Sequence, residues 1–186
     1  MEVYNEIASE FDNTRRCLWG GVKRFLDGIP AHSIVADVGC GNGKYLGYRK
    51  DLLMIGNDAC LPLVEIAGSK GEVLAANALC LPYRDGSMNA VICVAVMHHL
   101  RKLEDRRKLV AELARISRGP VLVTVWRDGI EKNTWKSLGS GDWMVPWNNK
   151  HDRYYHLFSG EDVKETFDGY EYECVEEMGN WYVRYL

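Results

Sequence analysis

Asp37-Val38-Gly39-Cys40-Gly41-Asn42-Gly43 closes a short apolar run, Ser33 to Val38, and opens a segment that reads as a helix from Lys44. Strand, glycine turn and helix in that order begin a nucleotide-binding unit. The spacing is Gly-x-Gly-x-Gly. It is not the Gly-x-Gly-x-x-Gly of dinucleotide enzymes, whose extra residue helps bring a helix N-terminus to a pyrophosphate. Glycines at 39, 41 and 43 let the backbone approach a ligand with no side chain in the way. Asp58 ends a second apolar run 21 residues after Asp37, where its carboxylate can accept both hydroxyls of a ribose. Glycines and strand-end acid together favour S-adenosylmethionine over NAD as cofactor, and Asn77-Ala78 at the end of a third strand extends the set.

Working outward, Tyr4, Ile7, Ala8 and Phe11, then Trp19, Val22, Phe25 and Leu26, carry helical spacing, so two amphipathic helices precede the first strand. After the glycines, Leu52 to Asn57 reads as strand two, Leu61 to Ala67 as a helix, Glu72 to Ala76 as strand three and Ala90 to Val96 as strand four. Strand four is apolar at nearly every position, as a parallel strand covered on both faces requires. Arg101 to Ser117 reads as a surface helix that Gly119 is well placed to end, and Val121 to Trp126 as strand five. Asp128 to Lys150 is polar and glycine-bearing, with Trp135, Trp143 and Trp147 spread through it, and reads as an irregular functional lid. Ser159 to Phe167 reads as a helix capped by Ser159 with Asp162 three residues on. Tyr170 to Glu176 and Trp181 to Leu186 close the chain as a hairpin around Gly179-Asn180. The expected fold is α/β: a Rossmann-like seven-stranded sheet with helices on both faces and a C-terminal antiparallel hairpin.

The chain has 186 residues, 47% hydrophobic and 26% charged, which excludes a disordered or collagen-like chain. No stretch approaches the ~18 apolar residues of a membrane span, and Met1 to Asp12 is acidic, unlike a secretory leader. A cytosolic or nuclear location is the expectation. Six cysteines include no Cys-x-x-Cys pair, so they read as small buried hydrophobes, with no metal site expected. Net charge is −3, but residues 157–186 hold eight acids and two bases, leaving the body mildly basic. That is short of an autonomous nucleic-acid footprint, so such a substrate would need local patches or a partner's help.

The glycine motif with Asp58 resembles class I methyltransferases. The chain as a whole resembles the tRNA wobble-uridine carboxymethyl methyltransferases, which esterify 5-carboxymethyluridine in the anticodon. The matching pieces include Thr14-Arg15 followed by Trp19, Leu81-Pro82-Tyr83, Ala95 to Leu100, Asp142 to Trp147, Arg153 to Phe158 and Gly179-Asn180-Trp181-Tyr182. Val-Pro-Trp, Arg-Tyr-Tyr-His-x-Phe and Gly-Asn-Trp, in this order, are the specific part. The resemblance implies one methyltransferase domain over residues 1–186, an anticodon loop as substrate, and Tyr4, Gly39, Gly41, Gly43, Asp58, Asn77, Ala78 and Ala95 at the cofactor. It also implies a small zinc-binding activator subunit that adds a strand to the edge at Val73 to Ala76 and forms a heterodimer. That segment holds no Lys, Pro or inward charge to discourage pairing. Asn77 and Asn89 depart from the aspartates usual in the family, and the segment after Trp126 is short.

A carboxylate acceptor, with a pKa near 4, is already ionised at pH 7 and needs no general base. Its site should grip an anion, align it and exclude water. Candidates for that grip are Arg15, His98, His99, Arg153, Tyr154 and His156, with Trp126 and Trp147 as walls for the base. Adjacent His98 and His99 cannot both face one side if strand four continues through them. A small-molecule carboxyl or oxygen methyltransferase would keep every cofactor residue and enclose an apolar acceptor under the tryptophans. A cofactor-binding scaffold without catalysis is the non-enzymatic alternative.

Overall fold

The structure, a computed structural model, describes residues 2–14, 17–148 and 150–185. Helices α1 (Glu2–Thr14) and α2 (Gly20–Asp27) lead into β1 (Ile34–Val38), β2 (Leu53–Asp58), α3 (Leu61–Gly68), β3 (Glu72–Ala75) and β4 (Ala90–Val94). A 3₁₀ turn (Met97–His99), α4 (Leu103–Ile116), β5 (Val121–Trp126), β6 (Lys136–Gly139), β7 (Asp142–Trp147), β8 (His151–His156), α5 (Gly160–Thr166), β9 (Tyr172–Glu177) and β10 (Asn180–Tyr185) complete it. The main sheet runs β3-β2-β1-β4-β5-β10-β9, parallel except for β10, which is antiparallel to both β5 and β9. Among the described residues, no helix is long and apolar enough to cross a membrane.

Alternation along the strands divides the core in two. Val91 and Cys93 pack with Leu109, Leu113, Phe158 and Phe167 under α4 and α5, while Ala90 and Ile92 pack with Val22, Leu26 and Tyr45 on the α2 side. A fully buried side chain of this size contributes about 1.5–3 kcal/mol, which is why Leu109, Val110, Leu113 and Ile116 hold α4 against the sheet.

Five sequence expectations change. No helix follows the glycines: residues 41–47 form successive turns, with Gly43 N–H on the Cys40 carbonyl and Leu46 N–H on that of Gly43. Gly43 is left-handed at φ +72° and Gly47 follows soon after, too short a span to offset helix nucleation. Strand four stops at Val94 because Ala95 turns to φ +60°. The α4 helix ends at extended Ser117, while Gly119 instead lets the chain pass tightly by the Asn89 carbonyl. The lid is not irregular but a second sheet, ordered β6-β7-β8 and antiparallel throughout. Cys40, Cys60 and Cys93 are buried as expected, but Cys17 and Cys80, on loops, are exposed.

In that small sheet Trp143 pairs with Tyr155 and Val145 with Arg153, so these residues share one face with Trp147. Val145, Trp147, Arg153 and Tyr155 are buried, which identifies this face as the one packed on the carboxyl ends of the main strands.

Candidate active site

Left-handed Gly39 (φ +72°) opens the loop after β1, and a Cβ there would lie 2.3 Å from Val96. No other residue fits that contact. The Gly39 and Cys40 N–H groups both donate to the Asn57 carbonyl, at 2.8 and 2.9 Å, which staples the loop to β2. Asp58 then accepts from Gly41 N–H and from Cys60 N–H, each at 2.9 Å. Burial raises its carboxyl and these amides pull it back. Each Asp58 oxygen keeps a second lone pair, so the acid can still accept the vicinal hydroxyls of a ribose. Side-chain-free loop and strand-end acceptor together fit an adenosine group.

Asn77 is exposed, and its Oδ1 accepts from Leu79 N–H at 2.9 Å, shaping the turn that half-buries Ala78. Helix α1 lies over the loop: Asp12 Oδ1 accepts from Asn42 Nδ2 at 2.8 Å and from Lys70 Nζ at 3.0 Å, and Phe11 stands 3.4 Å from a Cβ built on Gly41.

Sequence reasoning passed over Asp37, although it begins the glycine motif. It is 1% exposed, its Oδ2 has no hydrogen-bond partner, and burial pushes its carboxyl up to about 7.

At the end of β4, Ala95 N–H is shared by the carbonyl and the Oγ1 of Thr124, both at 3.1 Å. The 3₁₀ turn that follows places His98 and His99 side by side, ring centroids 4.5 Å apart, so strand alternation no longer separates them. His99 Nδ1 lies 3.0 Å from the Tyr154 carbonyl, which can only accept. In neutral His99, Nδ1 therefore carries the proton, and Nε2 accepts from the Tyr4 hydroxyl at 2.9 Å. Burial lowers His99 to about 4 and His98 well below its usual value, keeping both neutral near pH 7. His98 stacks on Tyr155 at 4.7 Å, Tyr155 on Trp126 at 4.6 Å, and Trp126 on Trp135 at 5.8 Å. His98 also meets Trp126, at 5.4 Å and 48°, so three of the chain's own rings pack on this tryptophan.

Arg153 on β8 is 5% exposed, its guanidinium 4.6 Å from the Trp147 ring centre and 5.1 Å from that of Tyr155. Its Nε and Nη1 have no hydrogen-bond partner among the described residues. Tyr154 and His156 are engaged elsewhere: both reach Asp142 Oδ1, at 2.6 and 2.7 Å, and His156 Nε2 lies 3.3 Å from Asp162. Trp147 leans toward α1, donating from Nε1 to Glu10 at 3.2 Å. Arg15 lies outside the described residues. The structure thus gathers His98, His99, Trp126, Trp147 and Arg153 around Tyr155, a residue missing from the candidates read in the sequence, and turns His156 toward α5. The alternation Trp143, Val145, Trp147 was the signal for this buried face.

Residues 36–120 match a family described as a methyltransferase domain. Among solved structures, a SAM-dependent methyltransferase from Aquifex aeolicus shares the fold at TM-score 0.72 and 19% identity, over 97% of each chain. A chain from a complex between the Haloferax volcanii Trm112 methyltransferase activator and a methyltransferase matches at TM-score 0.69 and 15% identity, covering all of this chain and 94% of that one. Sheet order, closing hairpin and glycine loop define a class I methyltransferase fold. A tRNA (carboxymethyluridine(34)-5-O)-methyltransferase of Schizosaccharomyces pombe is 32% identical over 98% of this chain and 93% of its own length. The chain belongs to that family. One from Arabidopsis thaliana is 40% identical over 88% of this chain. This chain spans 44% of the Arabidopsis relative and 19% of a mouse relative.

Proposed function

We propose that the chain methylates the carboxylate of 5-carboxymethyluridine at the wobble position of tRNA, giving the methyl ester, with S-adenosylmethionine as methyl donor. The observation that carries this reading is Arg153: a buried guanidinium with two unpaired donor nitrogens, held between aromatic rings at the carboxyl end of the sheet. No described residue supplies Arg153 with a counter-anion, which is unfavourable for a buried cation until an anion arrives, and a planar carboxylate suits the guanidinium fork. His98 and His99 are neutral, so the pocket offers a cation and no strong base. That suits an acceptor already ionised, more than a hydroxyl or an amine.

Gly39, Gly41 and Asp58 would hold the adenosine part, with Ala78 beside the base. The bound cofactor supplies an electrophilic methyl on a sulfonium. Arg153 would orient the carboxylate, Tyr155 and Trp147 would keep water from it, and Tyr4 would fix His99 as a rigid wall. The family relation supports the RNA substrate, and the likeness to a methyltransferase held by the Trm112 activator in the Haloferax complex supports a small activator subunit as partner. We place a zinc-binding activator on the β3 edge.

The test is mass spectrometry of wobble nucleosides after incubating the protein with undermodified tRNA. The wild type should form the methyl ester. Arg153→Met should lose turnover by about a hundredfold or more, as loss of a charge-assisted pair implies, while cofactor affinity holds. It should also unfold at a higher temperature, because a buried unpaired charge is gone. Equal turnover in the two proteins, or methylation of small carboxylic acids in place of tRNA, would overturn the reading.

A further inference from the structure

The rings packed around buried His98 do not stop at the candidate site. His98 lies against both Tyr155 and Trp126, at 4.7 and 5.4 Å, and from this cluster interplanar angles of 24° and 15° carry a stack from Tyr155 through Trp126 to Trp135, where it reaches the surface. Trp135 is half-buried, and its backbone N–H donates to the Lys132 carbonyl at 2.8 Å, which fixes the turn that carries it. Trp143, also half-buried, meets it edge-on at 6.5 Å and 67°. Stacked plane and upright edge make a corner. Lys132 and Lys136, both exposed, precede and follow Trp135, and β6 behind them is exposed along its length.

We infer that Trp135 and Trp143 form a stacking step for the nucleobase next to the modified uridine, with Lys132 and Lys136 meeting the flanking phosphates. The inference rests on the RNA substrate proposed above. Trp126 is already engaged by the chain's own rings, since Tyr155, Trp135 and His98 all pack on it. A base on Trp135 would continue the series outward from the pocket, as one base follows another along a single strand. Every base has a π-face, so such a step grips RNA with little sequence preference. Two lysines beside it supply the local positive charge that the acidic tail of the chain lacks.

The test is a binding cycle on the full chain with a fluorescein-labelled anticodon stem-loop carrying 5-carboxymethyluridine, read by anisotropy. One RNA is intact; in others, the nucleotide on one side or the other of the modified uridine is abasic. Trp135→Ala should weaken the intact RNA about tenfold, Trp135→Phe should recover most of that, and cofactor affinity should not move. One abasic RNA should bind the wild type about as weakly as the intact RNA binds Trp135→Ala, and that variant should not distinguish the two RNAs. A merely structural tryptophan would give additive losses. If the wild type binds the RNA and Trp135→Ala binds it equally well, or the losses add, the stacking step is overturned alone. A wild type that does not bind the RNA overturns it together with the RNA reading.

Discussion

Asp37 keeps its carboxyl 1% exposed below the glycine loop, and burial raises it from 3.8 to about 7. The proton is held more tightly in the folded chain than in the unfolded one. Stability linked to it is therefore complete below about pH 4 and is lost as pH rises through about 7. Each unit of such a difference corresponds to about 1.4 kcal/mol. Asn mimics the protonated acid, so Asp37→Asn should hold its melting temperature between pH 5 and 8 better than the wild type does. Parallel pH profiles for the two proteins would show that Asp37 does not titrate in this range. His99 has the opposite sign: a pKa lowered to about 4 gives stability that is present above about 6.5 and is lost in acid.

Among the elements, α5 is the one whose boundaries follow most directly from local chemistry. Ser159 accepts from Asp162 N–H at 3.1 Å while Asp162 accepts from Ser159 N–H at 2.9 Å, the reciprocal cap that Ser159 and Asp162 announce in the sequence. The same Asp162 lies 3.3 Å from His156 Nε2, so the cap also anchors β8. Ser159→Ala should lower unfolding free energy in urea by about 1 kcal/mol without altering cofactor binding. A change below a few tenths would mean that Asp162 and His156 hold the helix end unaided. The missing helix after Gly43 and the sheet within 136–156 mark the limit of local reading. Helical composition at Lys44 to Leu46 could not overcome a left-handed glycine and a short span, and β7 gains its buried face only by pairing with β8.

At the scale of the molecule, β3 forms one edge of the main sheet, paired with β2 on one side only. Val73 packs into the core, so Leu74, half-buried on the opposite face, is available to a neighbour. Past the exposed Glu72 that opens the strand, Val73 to Ala75 carries no charge, and an apolar edge of this kind suits strand addition. Leu74→Lys should abolish co-purification with a co-expressed activator subunit while the isolated chain keeps its melting temperature. Undiminished co-purification would move the partner to another surface.

Fold class, the glycine loop, Asp58 and the α5 cap were determined by the sequence alone, because each depends on residues close together in the chain: backbone freedom at Gly39 and Gly41, an acid ending an apolar run, and a hydroxyl three residues before a carboxylate. Placement across the candidate site was decided by the tertiary structure. Arg153, Tyr154 and His156 are near-neighbours in sequence and looked equivalent as donors. Pairing of β8 with β7 turns Arg153 inward among rings with two nitrogens unpaired, and Asp142 draws Tyr154 and His156 away. Which of two neighbouring side chains is buried without a partner depends on strand register and on what packs above it, and both are set by residues far away in the chain.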